Sequence, residues 1–138
     1  MRLRLSFIGL VLLFMATISC NSHNVVSIVK NAADMGTIDF DETMWFDWDT
    51  MYWFPMNYSL DEIDSIININ DYWKDVGDRI IFVKGGKIVY YKEYFPANEK
   101  PLQRISFEPD TIQVIDRRNA TFSIEKESEK LFVLSPVK

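Results

Sequence analysis

The chain has 138 residues, 48% of them hydrophobic and 14% aromatic, which is one domain's worth of sequence with too much apolar content for a disordered segment. Its formal charge is −5 and its densest basic cluster downstream of the N-terminus is only Arg117-Arg118, which argues against a nucleic-acid partner. One cysteine, Cys20, and one histidine, His23, exclude an internal disulfide and a Cys/His zinc constellation.

Arg2 and Arg4 precede an apolar run from Leu5 to Ile18. A cationic start, an apolar stretch and small residues before a cut are the parts of a secretory signal. The run is shorter than the roughly 20 residues a membrane-spanning helix needs. It ends in T-I-S-C at Thr17–Cys20, which resembles the lipobox of bacterial lipoproteins, with Ser19 as the small residue and Thr17 where leucine is commonest. That resemblance implies cleavage before Cys20 and acyl chains on its sulfur. The alternatives are an ordinary signal with an incidental cysteine, or an uncleaved anchor. The expected organisation is a signal over 1–19, a tether and first helix over 20–36, and an α+β domain over 37–138. Cleavage removes Arg2 and Arg4, leaving 13 basic residues against 20 acidic ones and a charge of −7.

Val25, Ile28, Val29, Ala32 and Ala33 recur at helical spacing over Val25–Met35, with Gly36 as the stop. Thr37–Thr43 reads as an acidic extended link. Met44–Pro55 is rich in Trp, Tyr and Phe and reads as a strand ended by Pro55. Ser59 and Glu62 form a capping box for a second helix reaching Asn68, and Tyr58 and Ile63 occupy the staple positions. A loop over Asp71–Gly77 follows, with Trp73 as its anchor.

Asp78–Glu93 carries two β-prone runs around Gly85-Gly86, a pair suited to a two-residue turn with positive φ. A two-residue loop pairs Lys84 with Lys87, Val83 with Ile88, Phe82 with Val89 and Ile81 with Tyr90. Both faces of this ribbon are apolar, so it calls for cover on both sides, one of them from the second helix. Tyr94–Pro101 reads as a loop. Leu102–Glu108 and Thr111–Ile115 read as strands, and Asp116–Asn119 as a turn. Thr121–Lys126 and Lys130–Ser135 read as a second hairpin with a wet face at Ser123 and Glu125, and Leu131–Leu134 as a central strand. The fold expected is a single antiparallel sheet of about five or six strands with two short helices.

Chemistry is sparse. His23 lies in the tether, where packing cannot position a base, so a Ser–His or Cys–His pair is not expected. Gly85-Gly86 joins two strands and opens no helix, so it is no phosphate loop. Asp39, Asp41, Glu42, Asp47 and Asp49 lack the spacing of a calcium loop, and no metal or cofactor is expected. Asp47 and Asp49 would share a face of a strand, which acid–base work could use and a solvated strand also explains. Trp45, Trp48 and Trp53 could form a sugar-stacking platform or a core strand; Trp45, at the Asp-flanked start, is the one expected to be exposed. The candidate binding surface is therefore Trp45, Trp48, Asp47 and Asp49. The sequons at Asn57 and Asn119 are read as accidental.

Four stretches together resemble a family of small bacterial cell-envelope lipoproteins with no assigned activity. They are W-D-x-M-Y-x-F at Trp48–Phe54, S-x-x-E-I-x-x-I-I at Ser59–Ile67, the hairpin at Ile81–Tyr91, and F-x-I…L-F-V-L at Phe122–Leu134. The resemblance spans about residues 37–135. It implies one α+β domain at the bacterial envelope and adds nothing about substrate; with no catalytic constellation in the chain, the expectation is a domain held by Cys20 at the outer membrane and working without catalysis. Its partner would be an envelope protein or a glycan; an immunity or inhibitor role is a close variant.

Overall fold

A computed structural model describes residues 24–56, 58–68, 77–94 and 103–138. The signal segment, Cys20, His23, Asn57, Trp73 and the loop expected after Tyr94 lie outside these residues. The described chain forms three helices, α1 (Val25–Ala32), α2 (Phe40–Thr43) and α3 (Leu60–Ile67). Its strands are β1 (Thr37–Asp39), β2 (Thr50–Phe54), β3 (Asp78–Lys84), β4 (Lys87–Tyr94), β5 (Arg104–Phe107), β6 (Gln113–Asp116), β7 (Thr121–Lys126) and β8 (Leu131–Pro136). The fold is α+β, in one domain.

The strands divide between two four-stranded sheets, ordered β1-β7-β8-β5 and β4-β3-β2-β6, where a single sheet was expected. All pairings are antiparallel except β5 with β8. The reason lies in β3, whose residues Asp78–Val83 are all buried. A strand apolar on both faces needs two layers over it. Ile80 and Phe82 point into a core shared with Ile105, Phe107, Phe122, Phe132 and Leu134 of the other sheet. Ile81 and Val83 turn the other way and pack with Phe54 beneath Ile63 and Ile67 of α3. The second helix therefore covers one face of the central hairpin, as its pattern implied.

Aromatic rings link the two sheets through the shared core. Trp53 lies 4.8 Å from Phe107, Phe107 lies 5.2 Å from Phe122, and Phe122 lies 5.0 Å from Phe40. Such tilted and edge-on pairs add to area burial because ring edges and faces carry opposite partial charge. Helix α1 closes one side of this core with Val25, Val26 and Val29, and Gly36, at φ 77°, lets the chain leave it for β1.

Local signals explain most boundaries. The Ser59 side chain accepts the Glu62 N–H at 3.2 Å while Glu62 accepts the Ser59 N–H at 2.7 Å. Gly85 and Gly86 take φ of 56° and 76°, the turn that two-residue hairpins favour. The pairing expected beyond Val83–Ile88 is shifted by one residue. Phe82 faces Tyr90 and Ile81 faces Tyr91, because a β-bulge falls between Val83 and Phe82 and leaves Val89 as the extra residue on β4. β4 is an edge strand, so Val89 and Tyr91 are exposed where an apolar, covered face was expected. The link over Thr37–Thr43 is also more ordered than expected. Its first three residues pair with β7, and the Asp39 carboxylate caps α2 by accepting the Asp41 N–H.

Two substitutions test this account by urea unfolding. Ser59→Ala removes the cap of α3 and should cost about 1 kcal/mol. Ile63→Ala, 1% exposed between α3 and β3, should cost roughly 2–5 kcal/mol with an unchanged denaturant slope.

Candidate functional site

The acidic and aromatic stretch singled out in the sequence is a strand only from Thr50 onward. Residues 44–49 form an irregular crossing from α2 to β2, so Asp47 and Asp49 do not share a strand face. A cation distant in sequence holds this crossing in place. Arg117, in the 3-10 turn Arg117–Asn119 that joins β6 to β7, reaches back into this crossing. Its Nε donates to the Asp41 carboxylate, and its Nη1 donates to the Asp47 carboxylate and, at 3.0 Å, to the Trp48 carbonyl. The guanidinium carbon lies 5.9 Å from the Trp48 ring centroid, within cation–π range. Lys84 approaches the other Asp47 oxygen at 3.4 Å.

Asp49 is used differently. Its carboxylate accepts the Gly85 N–H at 2.9 Å, its own N–H donates to Val83 at 2.8 Å, and its carbonyl accepts the Arg117 N–H at 3.0 Å. It therefore pins the β3–β4 turn to the β6–β7 turn. Hydrogen bonding to Arg117, then to Lys84, holds the Asp47 carboxyl below the ordinary carboxylate range, and Asp41 and Asp47 raise Arg117 in turn. These are surface pairs, with Asp47 66% exposed, so each contributes little alone. Their combined effect is positional: one guanidinium closes two chain crossings at once.

The three tryptophans separate. Trp48 and Trp53 are fully buried and Trp45 is 41% exposed. Trp48 was a candidate for the binding surface; its ring instead lies in the core, 5.0 Å from Phe82 and edge-on to it, with the Arg117 clamp at its outer side. Its indole N–H has no partner among the described residues. A three-tryptophan platform is thereby excluded. Trp45 stands edge-on to Phe46 at 5.0 Å and to Tyr90 at 5.3 Å, and Phe46 and Tyr90 stack at 5.2 Å with 13° between their planes. Behind them Phe46 meets Phe82 at 5.0 Å. The exposed indole is thus the outermost ring of a stack rooted in the core.

At the far end of the sheets, Asp78 accepts the Met56 N–H at 2.7 Å and faces Arg104 at 3.8 Å. Burial pushes its carboxyl above the ordinary range, against the pull of the Met56 N–H and of Arg104. Arg79 donates to Glu93 at 3.0 Å across β3 and β4. Among the described residues no three His, Cys, Asp or Glu side chains converge as a metal site requires, and no helix is long and apolar enough to cross a membrane. Comparison with family models, with curated proteins and with solved structures returns no match.

The sequence reading missed Arg117. The available signal was an excess of carboxylates over residues 39–49 with no cation of its own, which asks for one from elsewhere in the fold.

Arg117→Gln should lower the thermal midpoint, by less than a core truncation such as Ile63→Ala, and the gap to wild type should narrow in molar salt. The pH dependence follows from Asp47. A carboxyl held below its ordinary value stabilises the fold fully above the ordinary carboxylate range and loses that contribution as pH falls through its lowered value. Acid unfolding of Arg117→Gln should therefore begin at higher pH than that of the wild type. Asp78 has the opposite sign: its contribution is full below the ordinary value of 3.8 and is lost as pH rises through its raised one. Asp78→Asn, which keeps an oxygen for Met56, should gain on the wild type as pH rises from 4 towards neutrality.

Proposed function

We propose that the chain is a lipid-anchored domain of the bacterial envelope that acts by non-catalytic contact with another envelope protein. The observation that carries this reading is the order of the first 25 residues: Arg2 and Arg4, an apolar run, the lone Cys20, and then Val25, fully buried in the core at the start of α1. Acyl chains on Cys20 would contribute about 0.8 kcal/mol per buried methylene. The carboxylates available for acid–base chemistry favour contact over catalysis, since Asp47 is held by Arg117 and Lys84 and Asp49 by the Gly85 N–H. The outer membrane suits a domain of this kind, and its acidic surface suits a protein partner better than a nucleic acid.

One observation favours a second reading, glycan binding: Trp45 is an exposed indole braced from behind by two rings. It ranks second because Trp48 and Trp53 are buried, which leaves a single stacking surface. Titration of tryptophan fluorescence with cell-wall glycans tests it, and a flat response across the panel removes it.

For the anchor, the expected result is an intact mass carrying acyl chains on Cys20 and a membrane fraction that resists a salt wash. Cys20→Ser should move the protein to the soluble fraction. A variant that stays with the membrane after the wash would overturn the anchor.

A further inference from the structure

The start of α1 and the aromatic stack share one core: Val25, the first residue of α1, and Tyr90 pack into the same cluster, and the exposed ring of Trp45 stands against the Tyr90 ring at 5.3 Å. Five Cα–Cα steps separate Cys20 from Val25, a span of at most about 18 Å however the chain runs. A residue anchored at Cys20 thus keeps the start of α1, and the stack beside it, close to the headgroup layer, which is itself only about 5–8 Å deep on each side of the hydrocarbon.

We infer that Trp45 is the seat by which the domain rests on the bilayer, its indole lying in the interface next to the acyl anchor. This rests on the lipid-anchor reading above and adds to it an orientation and a second contact. The chemistry suits the place. Indole has an apolar body and a polar N–H, and partitions to the boundary between hydrocarbon and water. The ring is preorganised, since Phe46 and Tyr90 hold it edge-on and Phe82 holds Phe46. Val89, the bulge residue beside Tyr90 in the chain, is 41% exposed and adds apolar area on the same strand. Asp41 and Asp47, on either side of Trp45 in the chain, are already paired with Arg117 and Lys84, and the chain as a whole carries −5, so no excess of cations draws an anionic surface and the occupant is a zwitterionic lipid interface.

The test uses the full chain, produced in a bacterium, purified from membranes and reconstituted into phosphatidylethanolamine–phosphatidylcholine vesicles whose acyl chains are brominated near the headgroup. Intact mass is read on the same sample. The expected result is an acylated Cys20 and quenched tryptophan emission, with most of the quenching lost in Trp45→Phe and unchanged for the wild type in molar salt. Trp45→Tyr serves if the phenylalanine variant does not fold, and should lose the same quenching. Acylated Cys20 with equal quenching in wild type and variant, or with none in the wild type, overturns the seat and leaves the anchor standing. Unmodified Cys20 with no vesicle association overturns the anchor, and the seat with it.

Discussion

Arg117 ties together two of the chain passages that connect the sheets. Among the described residues the chain changes sheet four times, and the two passages joined by Arg117 run between β1 and β2 and between β6 and β7. Both passages lie at the same end of the domain, and each would be a loose irregular segment by itself. Arg117 sits in the second and binds Asp41, Asp47 and the Trp48 carbonyl in the first. Its planar fork of donors suits this work better than a lysine would, because several acceptors must be met at fixed angles. The clamp also lies over the fully buried Trp48 ring, 5.9 Å from its centroid.

What could be read from the residues alone was what is decided locally. The capped helix at Ser59, the Gly85-Gly86 turn and the hairpin of β7 and β8 each depend on neighbouring stretches of chain, and each forms where its pattern placed it. The wet face of β7 and the central position of β8 were equally legible, one from the alternation of Ser123 and Glu125 with Phe122 and Ile124, the other from an unbroken apolar run.

What escaped depends on partners far along the chain. Asp47 and Asp49 two residues apart look like one side of a strand. They belong to an irregular crossing because their partners are Arg117 and Gly85. Trp48 has the composition of a surface platform and the position of a core residue; only the second sheet decides between them. The bulge at Val89 is invisible for another reason, since Val89 is as good a strand former as the residues around it. Trp45 was separable from its neighbours because acidic residues crowd the segment it begins, which is a local cue.

The pairing of β1 with β7 has a consequence for when the domain can form. Among the described residues Thr37–Asp39 pairs with Thr121–Ser123 alone, and β5 is held by β8 in parallel, with a whole second-sheet strand passing between them in the chain. Closing loops of that length is entropically costly until the final pairings supply compensating contacts. Sheet β1-β7-β8-β5 therefore has no four-stranded intermediate before residue 136 is available. The strand nearest the N-terminus is thus secured by the last-made hairpin, so this sheet closes late in synthesis while the other can already be complete.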